Sequence, residues 1–172
     1  MSHSQYGSRV HSIPELQLVL PKAASRPMPP TEVPERIRND YVEACVVLDD
    51  SSKASAALSR RLLQDILRTA ANVTHADLYK EIQEVIDRGN LPTHIAESLD
   101  AVRNIGNFAA HPMKSQSTGA IVEVEPGEAD WNLEVIEALL DFYFVQPAKL
   151  ATKRASLNQK LVDAGKKPLA QN

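Results

Sequence analysis

Arg103, Asn107 and His111 recur at a spacing of four residues. If the segment is helical, that spacing places all three side chains on one ridge. The ridge would carry a fixed cation, an amide and a histidine that titrates near neutral pH. Those groups suit chemistry at a phosphodiester. Histidine can move a proton, and arginine can hold phosphate oxygens as charge builds on them. Gly106 lets a second backbone come close, and Pro112 disfavours helix at His111, which sets the imidazole at a helix end. Eight residues of straight helix rise about 12 Å, too far for Arg103 and His111 of one chain to share a phosphate. A symmetric dimer or a bend before Pro112 would bring the groups together. The alternative is structural: Arg103 pairs with a carboxylate, while Asn107 and His111 pin a loop.

The elements that must position these residues are helical. Six of the eleven prolines fall before residue 35, so residues 1–33 read as an extended or disordered N-terminal arm that buries little. Residues 34–164 read as an all-α antiparallel helical bundle, and residues 165–172 as a basic tail. The first helix is expected over Pro34–Leu48, burying Ile37, Tyr41, Ala44 and Leu48. The second, capped by Ser51 or Ser52, runs over Lys53–Ala71. Its apolar arc through Leu58, Leu62, Leu63, Ile66, Leu67 and Ala70 is wide enough to touch two neighbours. The third covers Ala76–Arg88, with Gly89 as its C-terminal cap, and the fourth runs from about Pro92 to Ala110. A short extended segment is expected near 119–125. A fifth helix covers Ala129–Val145, whose aromatics Trp131, Phe142, Tyr143 and Phe144 read as core and interface. Pro147 should kink or break it before a last helix over Ala148–Ala164, ended by Gly165 and Pro168.

Composition narrows the function classes. The 172 residues are 43% hydrophobic and 24% charged, with a net charge of -3, which excludes a uniformly basic nucleic-acid coat protein. One cysteine, Cys45, excludes a disulfide framework or a multi-cysteine zinc site, and its place on the first helix's buried face makes it inert. No apolar run is long enough to cross a membrane and no signal-peptide core opens the chain, so a cytoplasmic location is expected. Residues 41–148 hold eight basic and seventeen acidic side chains, whereas residues 149–172 hold six and one. The basic end can lie on the acidic body of its own or a partner chain, or serve as a phosphate-binding tail. Arg60, Arg61 and Arg68 on the second helix offer a similar choice. They can form an ion-pair ladder with Asp65, or a nucleic-acid-binding face. His75, Asp77 and His94 lack metal-ligand spacing, and no phosphate loop is present, so neither a metal nor a cofactor is expected.

Several stretches together carry a family resemblance. They are Asp40–Ala44, Ala56–Leu63, Arg103–His111, Phe142–Ala148 and Leu157–Leu161. The chain resembles the bacterial domain of unknown function 4145, and through it the HEPN superfamily. That resemblance implies a small all-helical, HEPN-like bundle, often dimeric. Many members are metal-independent ribonucleases of toxin–antitoxin, phage-defence or restriction systems, and others are inactive. In the superfamily motif an arginine, often followed by a polar residue, precedes a histidine. Arg103, Asn104 and His111 match it, at a spacing one residue longer than usual. Asn107 would support the pair.

Two functions remain open at this stage. One is a ribonuclease in which Arg103 and His111 line a cleft across a homodimer axis. There His111 assists attack by the ribose 2'-hydroxyl and Arg103 stabilises the phosphorane. The other is a non-catalytic dimerising or nucleic-acid- or partner-binding module, serving an antitoxin or defence-system protein. Fold alone does not decide between them.

Overall fold

The structure, a computed structural model, describes residue 24, residues 26–105 and residues 126–170. The described residues form an all-α bundle: α1 (Glu35–Val46), α2 (Ser52–Ala70), α3 (Leu78–Asp87), α4 (Thr93–Ile105), α5 (Pro126–Leu140), a π-helical turn (Asp141–Val145) and α6 (Gln146–Asp163). The short extended segment expected near 119–125 lies outside the described residues. Short connections make successive helices of the α1–α4 series neighbours. Helix α2 is central, packed on α1, α3 and α5, while α4 closes the far side against α3 and α5.

Local chemistry sets the helix boundaries. The Ser51 hydroxyl accepts the Ala54 N–H at 3.1 Å at the start of α2, and the Asp77 carboxylate accepts that of Lys80 at 3.0 Å at the start of α3. Each satisfies a donor that the first turn leaves without a partner. Gly89, at φ +64°, follows α3 in the left-handed conformation that costs glycine least. At the end of α6, Gly165 has φ +69°; its N–H reaches the Val162 carbonyl and that of Lys166 the Leu161 carbonyl. This double closure terminates the helix.

The core lies where apolar spacing places it. Ile37, Tyr41 and Ala44 of α1, Leu62, Leu63, Ile66 and Leu67 of α2, Ile82 and Val85 of α3, Ile95, Leu99 and Val102 of α4, and Leu133, Ile136 and Leu139 of α5 are buried. Cys45 is buried as expected. Leu48, Leu58 and Ala70 pack only at the core's margin. Trp131, expected in the core or an interface, is 40% exposed, its indole N–H directed at the Ser98 carbonyl at 3.4 Å. A tryptophan with one polar atom settles where that atom can find an acceptor.

Pro147 does not break the chain into separate helices. Helix α5 passes through the π turn directly into α6, and the Gln146 N–H bonds the Asp141 carbonyl five residues back. Proline has no N–H to donate and crowds the carbonyl four residues earlier. The wider turn just before Pro147 accommodates both effects without interrupting the helix.

The arm also differs from expectation where it is described. Val33 is 1% exposed, Ala24 packs against the core, and Arg26 forms ion pairs with α5. Proline-rich backbone limits helix formation here but does not stop single side chains from anchoring.

Candidate functional site

Arg103 lies in the last turn of α4, where a cation complements the helix C-terminus. Its guanidinium is paired with Asp100, one turn earlier, and lies over the Tyr79 ring of α3 at 5.0 Å from the ring centre. The side chain is only 15% exposed. Its Nε is buried and has no hydrogen-bond partner among the described residues. Asn104 is turned back on the same helix. Its amide donates to the Asp100 carbonyl at 2.9 Å and to the Asp100 carboxylate at 3.2 Å. Asp100 therefore gathers both described members of the sequence motif. Asn107 and His111 lie outside the described residues, so the structure places Arg103 and Asn104 together and leaves the histidine's position open.

The three arginines of α2 do not share one role, and the expected ladder along α2 gives way to ion pairs between helices. Asp65 pairs with Arg36 of α1 at 2.7 Å, and Arg61 faces Asp40 of α1 at 3.8 Å. Arg68 is committed to α3, its Nε and Nη2 donating to one oxygen of Glu81 at 2.8 and 2.6 Å. Glu81 is completely buried, and that same oxygen also accepts the Ala76 N–H at 2.9 Å. Arg60 is partly buried. Loss of hydration lowers its pKa, and its buried Nη1 has no hydrogen-bond partner among the described residues. Arg36, Asp40, Arg61, Gln64, Asp65 and Arg68 border a cleft of about 390 Å³ between α1 and α2. Two carboxylates inside it offset the arginines, so the cleft is a poor phosphate cradle.

A second polar cluster joins the arm to α1 and α5. Arg26 donates to Asp130 at 2.6 Å and to Glu137 at 2.9 Å, and lies 3.8 Å from Glu134. The fully buried Tyr41 donates its hydroxyl to Glu137. Burial alone would lower the Arg26 pKa, but the hydrogen bonds to Asp130 and Glu137 outweigh it and the net shift is upward. Burial, with the Glu137 carboxylate beside it, raises the Tyr41 pKa well above the phenol range. Burial likewise raises the Cys45 thiol, with partial relief from Tyr41 and Arg26.

Sequence reasoning passed over both Glu81 and this cluster. A signal for each existed. Glu81 falls within the Leu78–Ile82–Val85 stripe, where a carboxylate requires a buried cation. Asp130, Glu134 and Glu137 recur at helical spacing and so share a ridge that attracts one.

Among the described residues no group of histidine, cysteine, aspartate and glutamate is arranged to hold a metal ion. None of the described helices is long and apolar enough to cross a membrane. No curated protein and no solved structure matches the chain significantly. One family model does, and it spans residues 42–160, from the middle of α1 to the last turn of α6. The chain therefore belongs to the family described as a domain of unknown function, DUF4145.

Proposed function

We propose that the protein is a non-catalytic, HEPN-like binding module that works as a homodimer within a bacterial defence or stress assembly. The observation that carries this reading is the state of Arg103. Its charge is met by Asp100, one face is covered by Tyr79, and the side chain is mostly withdrawn from solvent. A phosphate would have to displace Asp100 and compete with a body that carries eight basic against seventeen acidic side chains over residues 41–148. Arg61 and Arg68 are likewise engaged by carboxylates.

A second reading, a metal-independent ribonuclease using Arg103 and His111, is favoured by one feature. The Nε of Arg103, buried and without a partner among the described residues, belongs to the last turn of α4, and the segment that contains His111 follows in the sequence. Gel-shift titration of mixed-sequence RNA at low and moderate salt separates the readings. The binding-module reading predicts no RNA complex that depends on Arg103. Tight, salt-sensitive binding lost in Arg103→Ala would favour the ribonuclease.

A further inference from the structure

The arm lies across the junction of α5, the π turn and α6 as a peptide lies in a groove. Pro27, Met28, Pro29 and Pro30 form one wall of a cavity of about 270 Å³, and Leu140 and Val145 belong to the other. At the arm's start, Arg26 meets Asp130, Glu134 and Glu137 of α5. Near its end, Glu32 borders a second cavity of about 450 Å³ together with Lys149 and Lys153 of α6. The long helix divides its charge in the same way. Residues 126–145 hold five carboxylates and no lysine or arginine, whereas residues 146–163 hold four cations and one carboxylate. The groove is thus negative at one end, apolar in the middle and positive at the other. A segment with arginine first and glutamate six residues on matches it in one direction only.

Side chains alone hold the arm there. Pro27, Pro29 and Pro30 have no N–H to donate. Among the described residues no backbone group of residues 26–32 bonds to a helix, and the hydrogen bonds from the arm to α5 come from the Arg26 guanidinium. Met28 is 62% exposed. The foot of the arm is fixed separately: Val33 is buried, and its N–H closes a turn on the Pro30 carbonyl at 3.1 Å. Residues 26–32 can therefore leave the groove while Val33 stays in the core.

We propose that this groove is the docking site for an arginine-led, proline-rich segment of a partner protein, and that the chain's own arm fills it in cis. The occupant already seated there states the chemistry: a guanidinium for the α5 carboxylates, prolines for the apolar middle and a carboxylate for the α6 lysines. Proline-rich segments suit such a groove because their backbone is extended beforehand and loses little freedom on docking. The tethered arm competes at an effective concentration on the order of millimolar, so it holds the site closed against weak matches. The inference rests on the binding-module reading and names its partner's chemistry. Its test reads peptide binding, so it can fail while the RNA titration upholds that reading.

The test titrates the full chain into a fluorescein-labelled peptide with the sequence of residues 24–33 and reads anisotropy. Wild type, its groove filled, should bind weakly. Arg26→Glu sets a carboxylate against the α5 ridge and lifts the arm, so this chain should bind the peptide at least tenfold more tightly than wild type, and less so in 1 M salt. A peptide with Arg26→Glu/Glu32→Arg keeps the net charge but reverses the polarity, and should lose this binding. Lys149→Glu/Lys153→Glu in the Arg26→Glu chain should weaken it at least threefold. If Arg26→Glu alters the far-ultraviolet circular dichroism, Arg26→Gln takes its place. No peptide binding by a folded arm variant, equally tight binding by wild type, or equal binding of the polarity-reversed peptide would each overturn the proposal.

Discussion

The Arg103 guanidinium lies 5.0 Å from the centre of the Tyr79 ring and is paired with Asp100 on its own helix. This joins α3 to α4 at the one motif residue whose charge a phosphate would need. The charge of a cation held between a carboxylate and a ring is already met, and the stack with Tyr79 contributes about 0.5–2 kcal/mol. Tyr79→Ala should therefore lower the melting temperature by a few degrees. Arg103→Lys should do so by less, since lysine keeps the charge but stacks poorly. Thermal unfolding of the two variants beside wild type checks both; an unchanged midpoint in each would remove the structural role assigned to Arg103.

The Arg68–Glu81 pair gives a second prediction. Arg68→Ala leaves the fully buried Glu81 without its cation, at a cost of about 3–5 kcal/mol. For a chain of this size that is about 10 °C in melting temperature. Arg68→Leu/Glu81→Leu removes both charges and should recover most of the loss. Denaturant titration of the single and double variants measures the coupling.

Much of this was legible in the sequence, for a physical reason. Helical spacing of apolar residues is a local signal, and it placed the buried faces of α1–α4, the Ser51 cap and the Gly165 stop. What it missed depends on distant partners. Spacing within α2 predicted Asp65 bonding to Arg61 and Arg68, whereas the neighbouring helices offered Arg36 to Asp65, Asp40 to Arg61 and Glu81 to Arg68. Proline rules foretold a kink or a break at Pro147, but a π turn accommodates the missing donor without ending the helix. Arg103 and Asn104 stood out by motif, and a carboxylate partner for Arg103 was among the expectations, but the part played by Tyr79 could be seen only once α3 and α4 were side by side.

The arm supplies a third prediction. Deleting residues 1–33 removes Val33 from the core and Arg26 from α5. Burial of one valine is worth about 1.5–3 kcal/mol, so the midpoint should fall by several degrees. Deleting only residues 1–23 keeps both anchors. Equal stability of the two truncations would show that residues 24–33 contribute nothing.

A fourth prediction concerns alkaline pH. The folded-state pKa of Tyr41 is raised by burial and by the Glu137 carboxylate, so the folded chain holds this proton more tightly than the unfolded chain. The stabilisation is complete below the unfolded phenol pKa near 10 and is lost as pH rises from there toward the folded value. Stability should fall above pH 10 in wild type and more gently in Tyr41→Phe. Absorbance at 295 nm should show one tyrosine that ionises only on unfolding.

Whether this chain binds without cutting RNA is decided by a cleavage assay. Purified protein and mixed-sequence RNA are incubated with chelator, and the product ends are analysed. A binding module leaves the RNA uncut relative to a protein-free control, with wild type, Arg103→Ala and His111→Ala alike. Metal-independent cleavage leaving 2',3'-cyclic phosphate ends, and abolished by His111→Ala or Arg103→Ala in folded protein, would contradict it.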